Sequence, residues 1–138
     1  MSPLLVHRYP LQIIEKHLDT FGHVNNATYL ALFEEARWDW ITKRGFGLEA
    51  IRKTRTGPVV LEVNVRFKRE MHNREEAVIE TSFVEQARKV SRILQVLKKS
   101  NGVSACEAEF TIGFWDLEER KLLPPTPAWL EVVTTPCE

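Results

Sequence analysis

The chain has 138 residues, a length that suits one domain built around one hydrophobic core. Basic and acidic residues number 19 each, so no global field favours nucleic acid or an anionic membrane as a partner. No apolar run is long enough for a membrane span or a signal peptide. The two cysteines, Cys106 and Cys137, do not form a disulfide framework. We therefore expect a single cytoplasmic domain over residues 1–138 with neither nucleic-acid nor membrane partners.

The first part of the chain predicts a strand and then a long helix. An extended segment is expected from about Tyr9 to Leu18, followed by a turn-like stretch. From Asn26 to Lys43, apolar residues recur at three- and four-residue steps, which is typical of an amphipathic helix. Asn25 or Asn26 can cap its start, and Gly45 suits its end. A second, short helix is expected near Leu48 to Lys53.

After Pro58 the apolar period changes to two, which predicts strands. The first of them, with apolar residues alternating from Val59 to Phe67, is expected to have one buried face. Ser100-Asn101-Gly102 indicates a hairpin, and Thr126-Pro127 indicates a terminal helix through Val133. The four expected strands run at about Pro58–Lys68, Glu76–Gln86, Lys89–Lys98 and Val103–Asp116.

One long amphipathic helix must bury its apolar face, and an antiparallel sheet is the surface available to it. We therefore predict an α+β fold in which a sheet of about five strands wraps around one central helix. The strand at Lys89–Lys98 is apolar on both faces. Since the helix covers only one of them, the other predicts contact with a second subunit.

Several common sites are absent from the sequence. It has no Walker-type phosphate loop, no dinucleotide-binding glycine fingerprint and no Gly-x-Ser-x-Gly elbow. The histidines and cysteines show no metal-ligand spacing, so we expect no metal site and no cofactor. The histidines are His7, His17, His23 and His72.

The turn-like stretch from Asp19 to Asn26 carries the candidate chemistry. It places a carboxylate, the His23 imidazole and two amides directly before a helix N-terminus. Such a terminus presents unpaired N–H groups and partial positive charge, which suit the oxyanion of an acyl-transfer reaction. Asp19 could attack a carbonyl carbon or deprotonate water. A thiolate leaving group needs little acid assistance, so this small set of groups is sufficient.

The run from Asp19 to Arg37, Asp-Thr-Phe-Gly-His-Val-Asn-Asn-Ala-Thr-Tyr-Leu-Ala-Leu-Phe-Glu-Glu-Ala-Arg, resembles the signature of the 4-hydroxybenzoyl-CoA thioesterase-like hotdog family. The resemblance implies a hotdog fold and acyl-CoA thioesterase activity, with active sites between the subunits of a dimer or a dimer of dimers. By motif position, Asp19 matches the catalytic aspartate and the backbone N–H near Asn26 matches the oxyanion donor. His23 and Asn25 are then expected to position the loop and the helix start.

Family members usually bind the CoA phosphates with basic residues at subunit edges. The matching candidates here are Arg88, Lys89, Ser91 and Arg92. The loop Lys68–Glu75 is more charged than in the family. The second candidates are Arg66, just before it, and Lys68 and Arg69, at its start.

Other interpretations of these residues remain open. Asp19 could simply cap a turn, and Glu34 or Glu35 within the helix could replace it as the catalytic carboxylate, although a pair between Glu34 and Arg37 is the structural alternative. An acyl carrier protein could replace CoA as the acyl donor, because carrier-protein thioesterases also contain a His-Val-Asn-Asn run. A non-catalytic acyl-CoA-binding protein is the third possibility.

Overall fold

The protein is built from one antiparallel sheet and one long helix that packs against it. The computed structural model describes residues 2–138. A 3-10 turn at Glu15–His17 separates the first strand from the long helix. The other elements are β1 (Leu4–Gln12), α1 (Asn26–Lys43), α2 (Leu48–Thr54), β2 (Thr56–Phe67), β3 (Glu76–Ala87), β4 (Val90–Lys99), β5 (Ser104–Asp116), β6 (Lys121–Leu123) and α3 (Pro127–Thr134).

Within residues 2–138, six strands form a sheet with the order β1-β3-β4-β5-β2, and β6 pairs with β5. Each pairing is antiparallel, which confirms the α+β prediction. The sixth strand was not predicted, because three residues are too few to show an alternating pattern. The helix over Asn26–Lys43 and the hairpin at Ser100–Gly102 lie where the sequence places them.

The predicted bounds of the first strand are wrong. β1 begins at Leu4 and ends at Gln12, because its first residues pair with the end of β3, from Leu4 opposite Phe83. The residues that follow turn instead of extending. The Nδ1 atom of the buried His17 accepts a hydrogen bond from the Ile14 N–H at 2.9 Å, which closes the turn.

The core lies between α1 and the face of the sheet that packs against it. Alternate residues of β5 point into it, including Cys106, Ala108 and Phe110. Burial of a large apolar side chain contributes ~1.5–3 kcal/mol, so this face fixes how the helix lies on the sheet. The buried residues of α1 are Tyr29, Leu32, Phe33, Ala36, Trp40 and Ile41.

A polar contact in the middle of this core joins β4 to α1. Gln95 is fully buried, and its Nε2 donates to the Phe33 carbonyl and to the Thr81 hydroxyl, both at 3.1 Å. Its Oε1 accepts from the Arg37 guanidinium at 2.9 Å. That guanidinium lies 4.2 Å from the centre of the Phe110 ring, and burial lowers the pKa of Arg37 to about 10. Arg37 therefore bonds to Gln95 and not to Glu34.

β2 lies at one edge of the sheet, and the prediction that its apolar face is buried is wrong for a single chain. Leu61, Val63 and Phe67 are 46%, 36% and 56% exposed. The regular alternation is also broken by a bulge between Val60 and Glu62. Edge strands with apolar side chains readily pair with another chain, so this strand is a candidate contact surface.

We expect Gln95→Leu to lower the free energy of unfolding by about 3 kcal/mol, since it removes the partner of the buried Thr81 hydroxyl and of the half-buried Arg37 guanidinium. Urea denaturation measures this change. Gln12→Leu is the matched control, because Gln12 is exposed and its side chain makes one hydrogen bond, to the Arg74 carbonyl. It should change stability by less than ~0.5 kcal/mol. Equal stabilities for the two variants would contradict a central role for Gln95.

Candidate active site

The loop before α1 has a fixed conformation around Asp19. The Asp19 N–H donates to the His23 carbonyl at 2.9 Å, and the Gly22 N–H donates to the Asp19 carbonyl at 3.0 Å. Gly22 has a φ of 82°, in the region that favours glycine. Leu18 and Val24 then pair as an isolated β-bridge. The loop is therefore a tight closed turn with Asp19 at its base.

Backbone bonding also orients the Asp19 carboxylate. Its Oδ1 accepts from the Phe21 N–H at 2.9 Å, and the side chain is half-exposed. Asp19 therefore also caps this turn, as the alternative interpretation expects. That role does not prevent chemistry, because a half-exposed carboxylate can still reach a bound ligand.

The first turn of α1 is capped by Asn25. Its Oδ1 accepts from the Ala27 N–H at 2.9 Å, and its carbonyl accepts from the Thr28 and Tyr29 N–H groups. The Asn26 N–H makes no hydrogen bond to residues 2–138. This N–H is the group at the helix start that remains for a ligand oxygen.

Asp19 and Asn26 line the same surface depression, which has a volume of about 370 Å³. Its apolar part includes Tyr29 and Phe67, whose ring centres are 5.7 Å apart. Burial raises the pKa of Tyr29 to about 12, so its hydroxyl stays neutral. The remaining lining residues are His23, Val24, Lys68, Arg69 and Glu70.

A second loop, between β2 and β3, forms the opposite rim. The Val24 N–H donates to the carbonyl of the fully buried Met71 at 3.2 Å and joins the two loops. The His23 Nε2 then lies 3.3 Å from Glu70 Oε2, and the His72 Nε2 lies 3.8 Å from the same oxygen. Sequence reasoning missed Glu70 and His72. The charged composition of this loop was the available signal, but no spacing links it to His23.

The predicted CoA-binding run is divided by the fold. Arg88 and Lys89 are exposed in the turn between β3 and β4. Ser91 is 2% exposed and donates to Gln86, while Arg92 bonds to Glu85 at 2.6 Å and to Glu109. The burial of Ser91 and the two glutamate partners of Arg92 correct this part of the prediction.

The run is also distant from Asp19 within one chain. The Asp19 depression lies beside the other end of β4, where the Lys99 amine donates to the Glu70 carbonyl at 2.9 Å. At ~3.3 Å per residue, β4 is roughly 30 Å long. Arg88 and Lys89 therefore cannot reach the Asp19 depression of their own chain.

The alternative carboxylates lie farther along α1. Glu35 is exposed and accepts from the Tyr9 hydroxyl at 3.5 Å. Glu34 borders a second cavity, of about 290 Å³, together with the buried Trp40 and the half-buried Trp38. Trp38 is twelve residues beyond Asn26, roughly 18 Å at the helical rise. Neither glutamate lines the depression that contains the free Asn26 N–H.

Residues 15–133 match the family model described as the thioesterase-like superfamily. The chain belongs to this superfamily. The resemblance inferred from the signature is thereby confirmed, and the protein is a thioester hydrolase.

Two proteins of Escherichia coli resemble the chain, one compared by sequence and one by structure. The long-chain acyl-CoA thioesterase FadM of Escherichia coli (strain K12) is 31% identical over 109 residues, 78% of this chain and 81% of FadM. The probable thioesterase YbaW of Escherichia coli is 26% identical with a TM-score of 0.82, covering 93% of this chain and 98% of YbaW.

A structure from Staphylococcus aureus, of the hypothetical protein SAV2348 in complex with CoA, has a TM-score of 0.87 at 14% identity. It covers 96% of this chain and 84% of SAV2348, and shows similarity of fold. The hotdog architecture is confirmed by these structures. Among residues 2–138, the helices are too short or too polar to cross a bilayer.

Proposed function

We propose that the protein hydrolyses acyl-CoA thioesters at the Asp19 depression. The observation that supports this most directly is that a half-exposed carboxylate and an N–H without a partner line one depression at the start of α1. The relatives add support, since FadM is a long-chain acyl-CoA thioesterase and SAV2348 was solved with CoA.

In the proposed reaction, the thioester carbonyl oxygen accepts a hydrogen bond from the Asn26 N–H. This bond and the positive end of the α1 dipole stabilise the negative charge that develops when the carbonyl carbon is attacked. Asn25 contributes by capping the helix, which leaves the Asn26 N–H as the donor at its start. His23 contributes through its carbonyl, which fixes Asp19 at the base of the loop.

Asp19 can act in two ways, as a general base or as a nucleophile. As a general base, it takes a proton from water, the hydroxide adds to the carbonyl, and collapse expels the CoA thiolate, which receives the proton from Asp19. As a nucleophile, it forms an acyl anhydride and releases the thiolate, and water then hydrolyses the anhydride. Both routes yield a carboxylic acid and CoA.

The cavity beside Trp38 is our candidate for the distal end of the acyl group. It contains Trp40, Ile41 and Trp129 among its lining residues, so its walls are largely apolar. Its separation from Asn26 by roughly 18 Å along α1 favours a long acyl chain over a short one. The similarity to FadM, a long-chain acyl-CoA thioesterase, supports the same choice.

We propose that Arg88 and Lys89 contact the CoA phosphates across a subunit boundary, since they cannot reach the depression of their own chain. Ser91 and Arg92 are left out of this contact because one is buried and the other is paired. Within the chain, Lys68 and Arg69 line the depression and are the alternative.

We also propose a homodimer at least, and a homotetramer formed as a dimer of dimers. The exposed apolar residues of β2 and the open edge of this strand support it. A cytoplasmic location remains our expectation, and the two unpaired cysteines are consistent with a reducing compartment.

Asp19→Asn should lower turnover of long-chain acyl-CoA by ~100-fold or more while leaving the fold intact, because the amide can neither attack nor accept a proton. Asp116→Asn is the matched control. Its Oδ1 likewise accepts backbone N–H groups, from Glu118 and Glu119, but it lies outside the depression. Release of free thiol is followed with acyl-CoA of several chain lengths and with acylated acyl carrier protein as the donor.

Near wild-type turnover of Asp19→Asn would contradict the assignment and favour Glu34 or Glu35. Faster hydrolysis of the acyl thioester of acyl carrier protein than of acyl-CoA would show that the carrier protein, and not CoA, is the acyl donor. Binding of acyl-CoA without any turnover by the wild type would contradict hydrolysis of this substrate.

Replacing Arg88 and Lys89 by alanine should raise KM for acyl-CoA about 5-fold and leave kcat nearly unchanged. The expected loss is ~1 kcal/mol, because exposed charge-assisted contacts are weakened by solvent. A short thioester lacking the nucleotide should be affected much less. Arg69→Ala tests the alternative: a selective KM effect in this variant alone would place the phosphates beside Lys68 and Arg69.

Val63→Lys should weaken subunit association, because it places a charge in the exposed apolar row of β2. Analytical ultracentrifugation at micromolar concentration should show a dimer or tetramer for the wild type and smaller species for the variant. Val103→Lys is the control, since Val103 is similarly exposed, at 41%, but follows the hairpin turn. A wild-type species of 16.0 kDa would contradict the assembly.

A further inference from the structure

Three side chains with metal-binding groups meet where the two loops join. They are His23 from the loop before α1 and Glu70 and His72 from the loop between β2 and β3. Their ligand atoms all lie within 4.8 Å of one another. The imidazole rings of His23 and His72 are arranged edge to face, with centres 5.2 Å apart. Two imidazoles and one carboxylate form a donor set that suits first-row transition metals.

We propose that His23, Glu70 and His72 form a binding site for a divalent transition-metal cation such as Zn²⁺, and that the bound cation inhibits hydrolysis at the Asp19 depression. The first half of this proposal is independent of the proposed function, and the second half depends on it. The sequence predicted no metal site, because the two histidines come from segments that only the fold brings together.

The distances suit a tetrahedral cation. Ligands ~2.1 Å from Zn²⁺ at the tetrahedral angle are about 3.4 Å from each other. The Nε2 atoms of His23 and His72 lie 3.3 and 3.8 Å from the same Glu70 oxygen. His72 and Glu70 side chains are 55% and 64% exposed, so small rotations can close the remaining gap without repacking the core. Three protein ligands leave a fourth position for water.

The backbone beneath the site is held in place. The Val24 N–H donates to the Met71 carbonyl, directly between His23 on one loop and Glu70 and His72 on the other. Met71 is fully buried, which anchors the second loop. The site is therefore preorganised at the main chain, and only side-chain rotation is needed for binding.

A further carboxylate lies behind His72. The Nδ1 atom of His72 is 4.0 Å from Glu75 Oε1, while the other oxygen of Glu75 accepts from the His72 backbone N–H at 3.0 Å. Metal-binding histidines usually present their second ring nitrogen to such a carboxylate, which orients the ring. Lys99 also contacts Glu75, at 3.4 Å, and partly balances its charge. This arrangement supports His72 as a ligand through Nε2.

The position of the site explains the inhibition. His23 and Glu70 line the same depression as Asp19, and the Asp19 N–H bonds to the His23 carbonyl. A cation held by His23 and Glu70, with its bound water, would occupy the rim through which a thioester must pass. The cation would also attract the Asp19 carboxylate, which would then be less available to react with the substrate.

Zn²⁺ binding to the purified full-length chain is measured by competition with a chromophoric chelator, and Co²⁺ absorption reports the coordination geometry. We expect close to one cation per chain and a tetrahedral Co²⁺ spectrum. His72→Ala should weaken Zn²⁺ binding at least ~10-fold, and Glu70→Gln should weaken it as well. His72 is exposed, so its removal should leave the far-ultraviolet circular dichroism unchanged.

Two control variants exclude other zinc ligands. His7→Gln removes a histidine that bonds to Asp39 outside the cluster, and Cys137→Ser removes the half-buried thiol. Both should keep wild-type affinity and stoichiometry. Absence of binding, or equal affinity of His72→Ala and the wild type, would overturn the site.

Hydrolysis is assayed in the same preparations. Zn²⁺ should lower turnover by the wild type, a chelator should restore it, and His72→Ala should resist the cation while keeping its turnover in the chelator. Binding with unchanged turnover would overturn the inhibitory half. A wild type that binds Zn²⁺ but hydrolyses no thioester in the chelator would instead overturn the proposed function and leave the metal site intact.

Discussion

The position of α1 on the sheet depends on the buried Gln95. Apolar packing alone is not directional and tolerates a helix that slides along a smooth surface. A buried amide that bonds to the Phe33 carbonyl and to Arg37 has far fewer allowed positions, because any displacement leaves polar groups without partners. The N-terminus of the helix, one and a half to two turns from Phe33, is fixed by the same contact. The Gln95 contact in the centre of the core thus helps to set the direction of the Asn26 N–H at the helix start.

The wall of the depression and the exposed edge of the sheet belong to one strand. Phe67 contacts Tyr29 inside the depression and is still 56% exposed. Leu61 and Val63 continue the exposed row along β2. A neighbouring chain that covered β2 would also complete the wall of the site. Under the proposed assembly, substrate binding and subunit association would therefore be energetically linked, and dilution would weaken both.

The sequence predicted those features that depend on local periodicity and on a contiguous motif. The bounds of α1 follow from its apolar spacing and its cap, and the family follows from the unbroken signature between Asp19 and Arg37. The features that failed depend on partners distant in the chain. Exposure of β2 follows from its place at the edge of the sheet, and burial of Ser91 follows from which face of β4 meets the helix. The meeting of His23 and His72 requires two loops that no sequence period relates.

Cys106 of β5 affects how this protein can be assayed. Burial raises the pKa of its thiol to about 12, and the neighbouring Glu107 adds to this effect. Because the thiolate is the reactive form, Cys106 should remain silent to disulfide reagents as long as the core is closed. Cys137 is half-buried beside the start of β1, where its N–H donates to the Leu5 carbonyl. It is then the cysteine that produces the background signal when released CoA is titrated with such a reagent. Reaction of a second thiol would signal opening of the core, so the same reagent reports both product and unfolding.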